Sequence, residues 1–161
     1  MELIRTEKLI KNLSTDECLK VLANNHIGRL GYIYANWPYV TPITYYHDAE
    51  EKCIISYSAD GHKLYAMGMH GKVALQVDEI VSLNSWKSVL VQGEYEQLSG
   101  SAAKRHLHRF ADGVKDCIAR KGDETPKFIK DFSSRLRDRG VPLVYKISIS
   151  DIIGKYRNDS K

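Results

Sequence analysis

The apolar residues of this chain change their spacing several times, and each change marks an element boundary. Ser14-Thr15-Asp16-Glu17 precedes Leu19, Val21 and Leu22. A serine and a glutamate three residues apart can satisfy each other's backbone donors, so a capped helix is predicted from Ser14 to Asn24. His26 to Tyr34 mixes β-branched and aromatic residues with Gly28 and Gly31, and a break follows at Ala35-Asn36-Trp37-Pro38. That pattern predicts a strand, a turn and a second strand from Tyr39 to Tyr46. The polar run His47-Asp48-Ala49-Glu50-Glu51 then leads into a third strand, Cys53-Ile54-Ile55-Ser56-Tyr57. Links this short favour antiparallel pairing.

A helix of one or two turns fits Leu64 to Met69, after which alternation returns. Val73, Leu75 and Val77 oppose Ala74, Gln76 and Asp78. From Trp86 to Leu98, Val89, Val91, Gly93 and Tyr95 oppose Ser88, Leu90, Gln92 and Glu94. Gly93 inside a strand marks a bulge or a close backbone approach. From Ser101 the period becomes helical, with Leu107, Phe110, Ala111, Val114 and Ile118 on one face to about Arg120. A second helical stretch, Lys127 to Arg137, precedes Gly140-Val141-Pro142 and a last strand, Leu143 to Ile149. The predicted fold is mainly β: six antiparallel strands forming a small closed or partly open barrel, with peripheral helices.

At 161 residues the chain suits one domain, residues 1–161. The net charge of +4 raises nucleic acid as a partner. The basic clusters at Lys104-Arg105, Arg120-Lys121 and Arg135 to Arg139 contain or adjoin acids, however, as solvated helical faces do. No apolar stretch is long enough to cross a bilayer, and the N-terminus lacks the order of a secretory signal, so a cytoplasmic protein with no membrane partner is expected. Cys18, Cys53 and Cys117 are odd in number and far apart, which predicts buried thiols rather than a disulfide framework or a metal pair. His106 and His108 have the wrong spacing for a zinc pair on a helix, and there is no HExxH, GxSxG, GxGxxG or GxxxxGK[ST]. No metal site is expected, and no catalytic side chain is identified.

The strongest chemical signal is Ser56-Tyr57-Ser58-Ala59-Asp60-Gly61-His62-Lys63, which passes from an apolar strand into a helical pattern. Unpaired backbone N–H groups and the dipole at a helix start attract anions, and a first-turn lysine adds a full charge. An ordinary capped helix would read the same way. Val40-Thr41-Pro42-Ile43-Thr44 puts a proline inside a strand pattern, marking an edge, a bulge or a cavity wall. Asn84-Ser85-Trp86-Lys87-Ser88 starts a strand with an indole, a cation and hydroxyls.

Taken in order, six segments resemble the pyridoxamine 5′-phosphate oxidase-like family of FMN-binding split barrels, particularly the branch that includes the nitroimidazole-resistance proteins. They are Gly28-Arg29-Leu30-Gly31, Trp37 to Ile43, Ser58 to Lys63, Val73 to Val77, Trp86 to Val89 with Gly93, and Ile147 to Lys155. The resemblance implies a six-stranded antiparallel split β-barrel and a homodimer with two FMN molecules at its interface. It implies that Ser56, Tyr57, Ser58, His62 and Lys63 surround the phosphate. Thr41, Pro42, Ile43 and Thr44 would line the isoalloxazine, and Trp86, Lys87 and Ser88 would approach from one of the subunits. Arg29 would either reach the phosphate or brace the barrel.

An FMN-dependent oxidoreductase acting on a small molecule is the function this implies, nitro-compound reduction included. The alternatives are a flavin carrier or sensor without turnover, and a basic partner-binding barrel without a cofactor; haem or a deazaflavin would suit the same groove. The chain departs from the pattern in two places. Tyr57 stands where the nitroimidazole-resistance branch commonly has histidine, and Tyr156-Arg157 replaces the C-terminal Trp and Arg pair of the vitamin B6 oxidases.

Overall fold

The computed structural model describes residues 9–58, 61–122 and 143–159. The helix expected at Lys127 to Arg137, like Ala59 and Asp60, lies outside the described residues. In chain order the elements are β1 (Ile10–Asn12), α1 (Thr15–Ala23), β2 (Ile27–Tyr34), β3 (Trp37–Thr44), β4 (Tyr46–Asp48) and β5 (Cys53–Ser58). There follow α2 (Gly61–Met69), β6 (Lys72–Ser82), β7 (Ser85–Gln97), α3 (Gly100–Arg120) and β8 (Leu143–Asn158). The strands form one antiparallel sheet in the order β3-β2-β6-β7-β8-β5-β4, with β1 pairing the end of β8. The sheet is mainly β and antiparallel, as predicted. Among the described residues its strands number eight rather than six because two three-residue strands, β1 and β4, are too short to show a period.

Local chemistry sets the boundaries. Ser14 caps α1, its hydroxyl accepting from Glu17 N while Glu17 Oε1 accepts from Ser14 N. Ala35 and Asn36 both take positive φ, 50° and 65°, giving the two-residue hairpin turn whose twist suits strands. β3 therefore starts at Trp37, two residues earlier than its prolines suggest. Pro38 and Pro42 are tolerated because β3 is the sheet's edge. The chain then leaves β2 at Tyr45, whose N–H donates to the His26 carbonyl at 2.9 Å, and pairs with β5 instead.

Two cores result. One fills the curled sheet with Leu30, Tyr45, Ile54, Leu75, Val77, Val89, Val91 and Ile147, closed at its ends by α1 and α2. The other lies outside it, where Leu107, Phe110, Val114 and Ile118 of α3 cover Cys53, Ile55 and Val144. All three cysteines are free and buried. β8 runs far past Ile149 because Ser150 is an extra residue opposite the Gln92–Gly93 step, and beyond that bulge the pairing with β7 continues to Asn158.

α3 is also pinned by charge. Arg109 Nε lies 3.2 Å from the buried Asp48 carboxylate, and His106 Nε2 lies 2.6 Å from Glu51. The hydrogen bond from His106, helped by nearby arginines, holds the Glu51 carboxyl below its ordinary value of 4.5.

Two outcomes follow for stability. A Cβ on Gly93 would lie 2.6 Å from Ile147 Cγ2 and would also meet the Ser148 carbonyl, so Gly93→Ala should cost about 1–3 kcal/mol, measured as a lower urea midpoint. Because the folded chain holds Glu51 more readily ionised than the unfolded chain does, its contribution is present above pH 4.5 and is lost as pH falls through the lowered value. Glu51→Gln should remove that part of the acid sensitivity, seen as a flatter plot of urea midpoint against pH.

Candidate functional site

The open side of the sheet lies where β3 faces β5, and most of the predicted site residues border it. Ser56 Oγ donates to the Thr44 carbonyl at 2.7 Å, tying the end of β3 to β5. Ser56 and Ser58 are both buried, and strand alternation turns Tyr57 the other way. The Tyr57 ring meets Phe110 of α3 edge-on at 5.3 Å, so the structure does not bring it together with the two serines. α2 begins at Gly61, with His62 exposed and Lys63 half-buried on its first turn. His62 stands over β2 and β3, its ring 5.0 Å from that of Tyr34 and 6.4 Å from that of Tyr39.

Thr41 to Thr44 continue along β3 from Tyr39 toward Ser56. Ile43 is buried, Thr41 and Thr44 are half-buried, and Pro42 is exposed. Three predicted segments thus adjoin: the β3 edge, the β5 serines and the first turn of α2, with Thr44 bonded to Ser56 and Tyr39 beside His62 as the points of contact. What the sequence did not reveal is the group of tyrosines between α2 and the β2–β3 hairpin. Tyr32 stacks on Tyr39 at 5.4 Å, and Tyr65 meets Tyr34 at 6.3 Å. The only advance signal was the density of tyrosines in β2 and β3.

Trp86, Lys87 and Ser88 lie elsewhere in the same chain. Val40, Gly31, Ala74 and Gln92 form one cross-strand row, and Trp86 is six residues further along β7, or about 20 Å. Trp86 and Lys87 line a separate hollow of about 340 Å³ beside α1, with Glu17, Glu79 and Tyr156. Ser88 instead joins a polar network on the outer face. Gln76 Nε2 donates to Ser88 Oγ at 3.0 Å and to Asp78 at 2.9 Å, and Asp78 pairs with Arg29 at 3.2 Å. Arg29 therefore braces β2 against β6.

The same outer face carries an open groove of about 620 Å³, lined by Val40, His70, Lys72, Ala74, Gln92 and Glu94 among others. None of the predicted site residues lines it. Among the described residues, the histidine, thiol and carboxylate groups show no nucleophilic pair suited to covalent catalysis. Cys117 Sγ lies 3.6 Å from His26 Nδ1, but burial pushes that thiol's pKa up and disfavours the thiolate.

Comparison with known proteins agrees with this architecture. A protein of Rhizobium meliloti strain 1021, itself uncharacterised, is 34% identical over 97 residues, a stretch that is 60% of this chain and 63% of that protein. The chain thus aligns with less than two thirds of that relative's length. A FAD-binding protein of Mesorhizobium loti has 27% identity and a TM-score of 0.71, covering 94% of this chain and 98% of that one. A candidate 5-nitroimidazole antibiotic resistance protein of Bacteroides thetaiotaomicron shares the fold at 16% identity and a TM-score of 0.59, covering 94% and 92%. The family model described as pyridoxamine 5′-phosphate oxidase matches residues 14–154. With its split antiparallel sheet and the cleft between β3 and α2, the chain belongs to the pyridoxamine 5′-phosphate oxidase family.

Proposed function

We propose that this protein is a flavin-dependent oxidoreductase of the cytoplasm that seats the FMN portion of its cofactor in the cleft between β3, β5 and α2. The observation that carries this reading is that Ser56 bonds Thr44 and His62 stands beside Tyr39, which brings β5 and the start of α2, Lys63 included, to the proline-bearing edge of β3. The donor set fits the group. Hydroxyl, imidazole and ammonium groups at a helix start suit a phosphate, where charge-assisted bonds are stronger than neutral ones. An edge strand with exposed Pro42 offers a flat surface with no N–H stranded against an aromatic ring. The FAD-binding relative from Mesorhizobium loti also supports a flavin. Three buried free thiols suit a reducing compartment.

Bound flavin supplies the redox chemistry. The chain's own part is to bind and orient it: Lys63 and His62 at the phosphate, Thr41 to Thr44 along the ring, and Ser56 through its grip on Thr44. A homodimer completes the reading. Ile80, Val81 and Leu83 at the β6–β7 hairpin are 69%, 83% and 85% exposed, a concentration of apolar surface that suits burial against a second copy. Trp86, Lys87 and Ser88 of the partner subunit would then approach the flavin that one chain's geometry keeps them from.

FMN or FAD should raise the melting temperature and give a yellow protein, because a ligand specific to the folded state stabilises it. Lys63→Ala should weaken flavin binding by about 1.5–3 kcal/mol in a fluorescence titration, the cost of a lost hydrogen bond to a charged group. Unchanged affinity would place the phosphate elsewhere. Turnover with NADH or NADPH and a panel of acceptors separates an oxidoreductase from a carrier. Light scattering should return about twice the chain mass of 18.3 kDa, and a monomer that binds flavin tightly would sink the shared site.

A further inference from the structure

We infer that the groove beside the β2–β3 turn is an adenosine subsite, so that the resident flavin is a dinucleotide rather than FMN alone. The inference rests on the flavin reading above and on the direction in which β3 runs. Tyr39 of β3 stands beside His62 at the start of α2, where the phosphate belongs. From there Thr41 to Thr44, the surface for the isoalloxazine, extend one way along the strand, about 7–17 Å from Tyr39. A group attached to the far side of the phosphate must leave the other way, toward Ala35 and Asn36.

A groove of about 390 Å³ lies there, lined by Ile33, Tyr34, Asn36, Tyr65, Met69 and His70 with Ala35 at the turn. Its chemistry suits a purine. Tyr65 and Met69 follow His62 at helical spacing on α2 and are 60% and 69% exposed, large apolar groups that a stacked ring would cover. Tyr34 joins the two regions, since its ring meets His62 at 5.0 Å and Tyr65 at 6.3 Å. Asn36 and His70 give the groove hydrogen-bonding groups for the edge of the base. Aromatic platforms of this kind hold nucleobases by stacking.

Apo-protein should be titrated with FMN and with FAD, followed by flavin fluorescence, and each complex challenged with free adenosine. FAD is expected to bind at least tenfold more tightly than FMN, and adenosine to displace FAD but not FMN. Tyr65→Ala should weaken FAD at least about fivefold and leave FMN within twofold, the loss expected for one stacking platform. Equal affinities of the wild-type protein for FMN and FAD would overturn the adenosine subsite while leaving the flavin reading intact, as would adenosine that displaces neither. Binding of neither flavin would overturn both. Should Tyr65→Ala fail to fold, the adenosine competition on the wild-type protein decides the matter alone.

Discussion

The structure turns on how the chain crosses from one edge of its sheet to the other at Tyr45. Up to Thr44 the backbone pairs with β2, and from Tyr46 it pairs with β5. Tyr45 is fully buried between these two alignments. Its N–H donates to the His26 carbonyl, and its hydroxyl donates to the Leu22 carbonyl at 2.9 Å. The phenol is thus held neutral, burial pushing its pKa far above the ordinary range. One side chain fills the core, satisfies the end of α1 and fixes where the sheet opens. Ser56, bonded to Thr44 at 2.7 Å, holds the opening to a fixed width. Without that crossing β3 would have no reason to lie beside the first turn of α2, and the cleft would not exist.

The filled interior decides where chemistry can happen. Leu30, Ile54, Leu75, Val77, Val89, Val91 and Ile147 occupy the space inside the curled sheet and are fully buried. A small barrel packed in this way has no room for a ligand within it. A planar group such as the proposed flavin would therefore lie against the outside, where two polar networks are already built. Arg29, Asp78, Gln76 and Ser88 are bonded to one another, and Asp48, Glu50, Glu51, His106 and Arg109 hold α3 in place. The second network ties α3 to the turn between β4 and β5, and Arg105 of the Lys104-Arg105 cluster joins it, 3.6 Å from Glu51.

Much of this was legible in the sequence wherever one local rule acted alone. The Ser14–Glu17 capping box, the faces of β6 and β7 and the bulge at Gly93 were each readable because a cap, a period of two or a strand glycine has one common physical cause. The strand count was not, since β1 and β4 exist only because β8 and β5 offer them partners. Nor was the length of β8. Its alternation breaks at Ser150-Asp151, which looks like an end, and only the opposing Gly93 shows it to be a bulge.

The candidate site was legible as an ordered series of segments and illegible as a geometry. Sequence places Tyr57 among the phosphate residues, but alternation along β5 turns its ring onto Phe110, so its influence on a ligand must pass through the backbone or through α3. Sequence likewise groups Trp86, Lys87 and Ser88 with the cleft, whereas in one chain about 20 Å of β7 separates Trp86 from the strand row beside it. The aromatic wall of Tyr34, Tyr39 and Tyr65 has no motif, because it arises from a hairpin and a helix meeting in space. These are the positions where packing chooses among directions that the sequence leaves equivalent. Specificity within a family that shares the sheet is therefore most readily altered there, at residues whose replacement disturbs neither Tyr45 nor the packed interior.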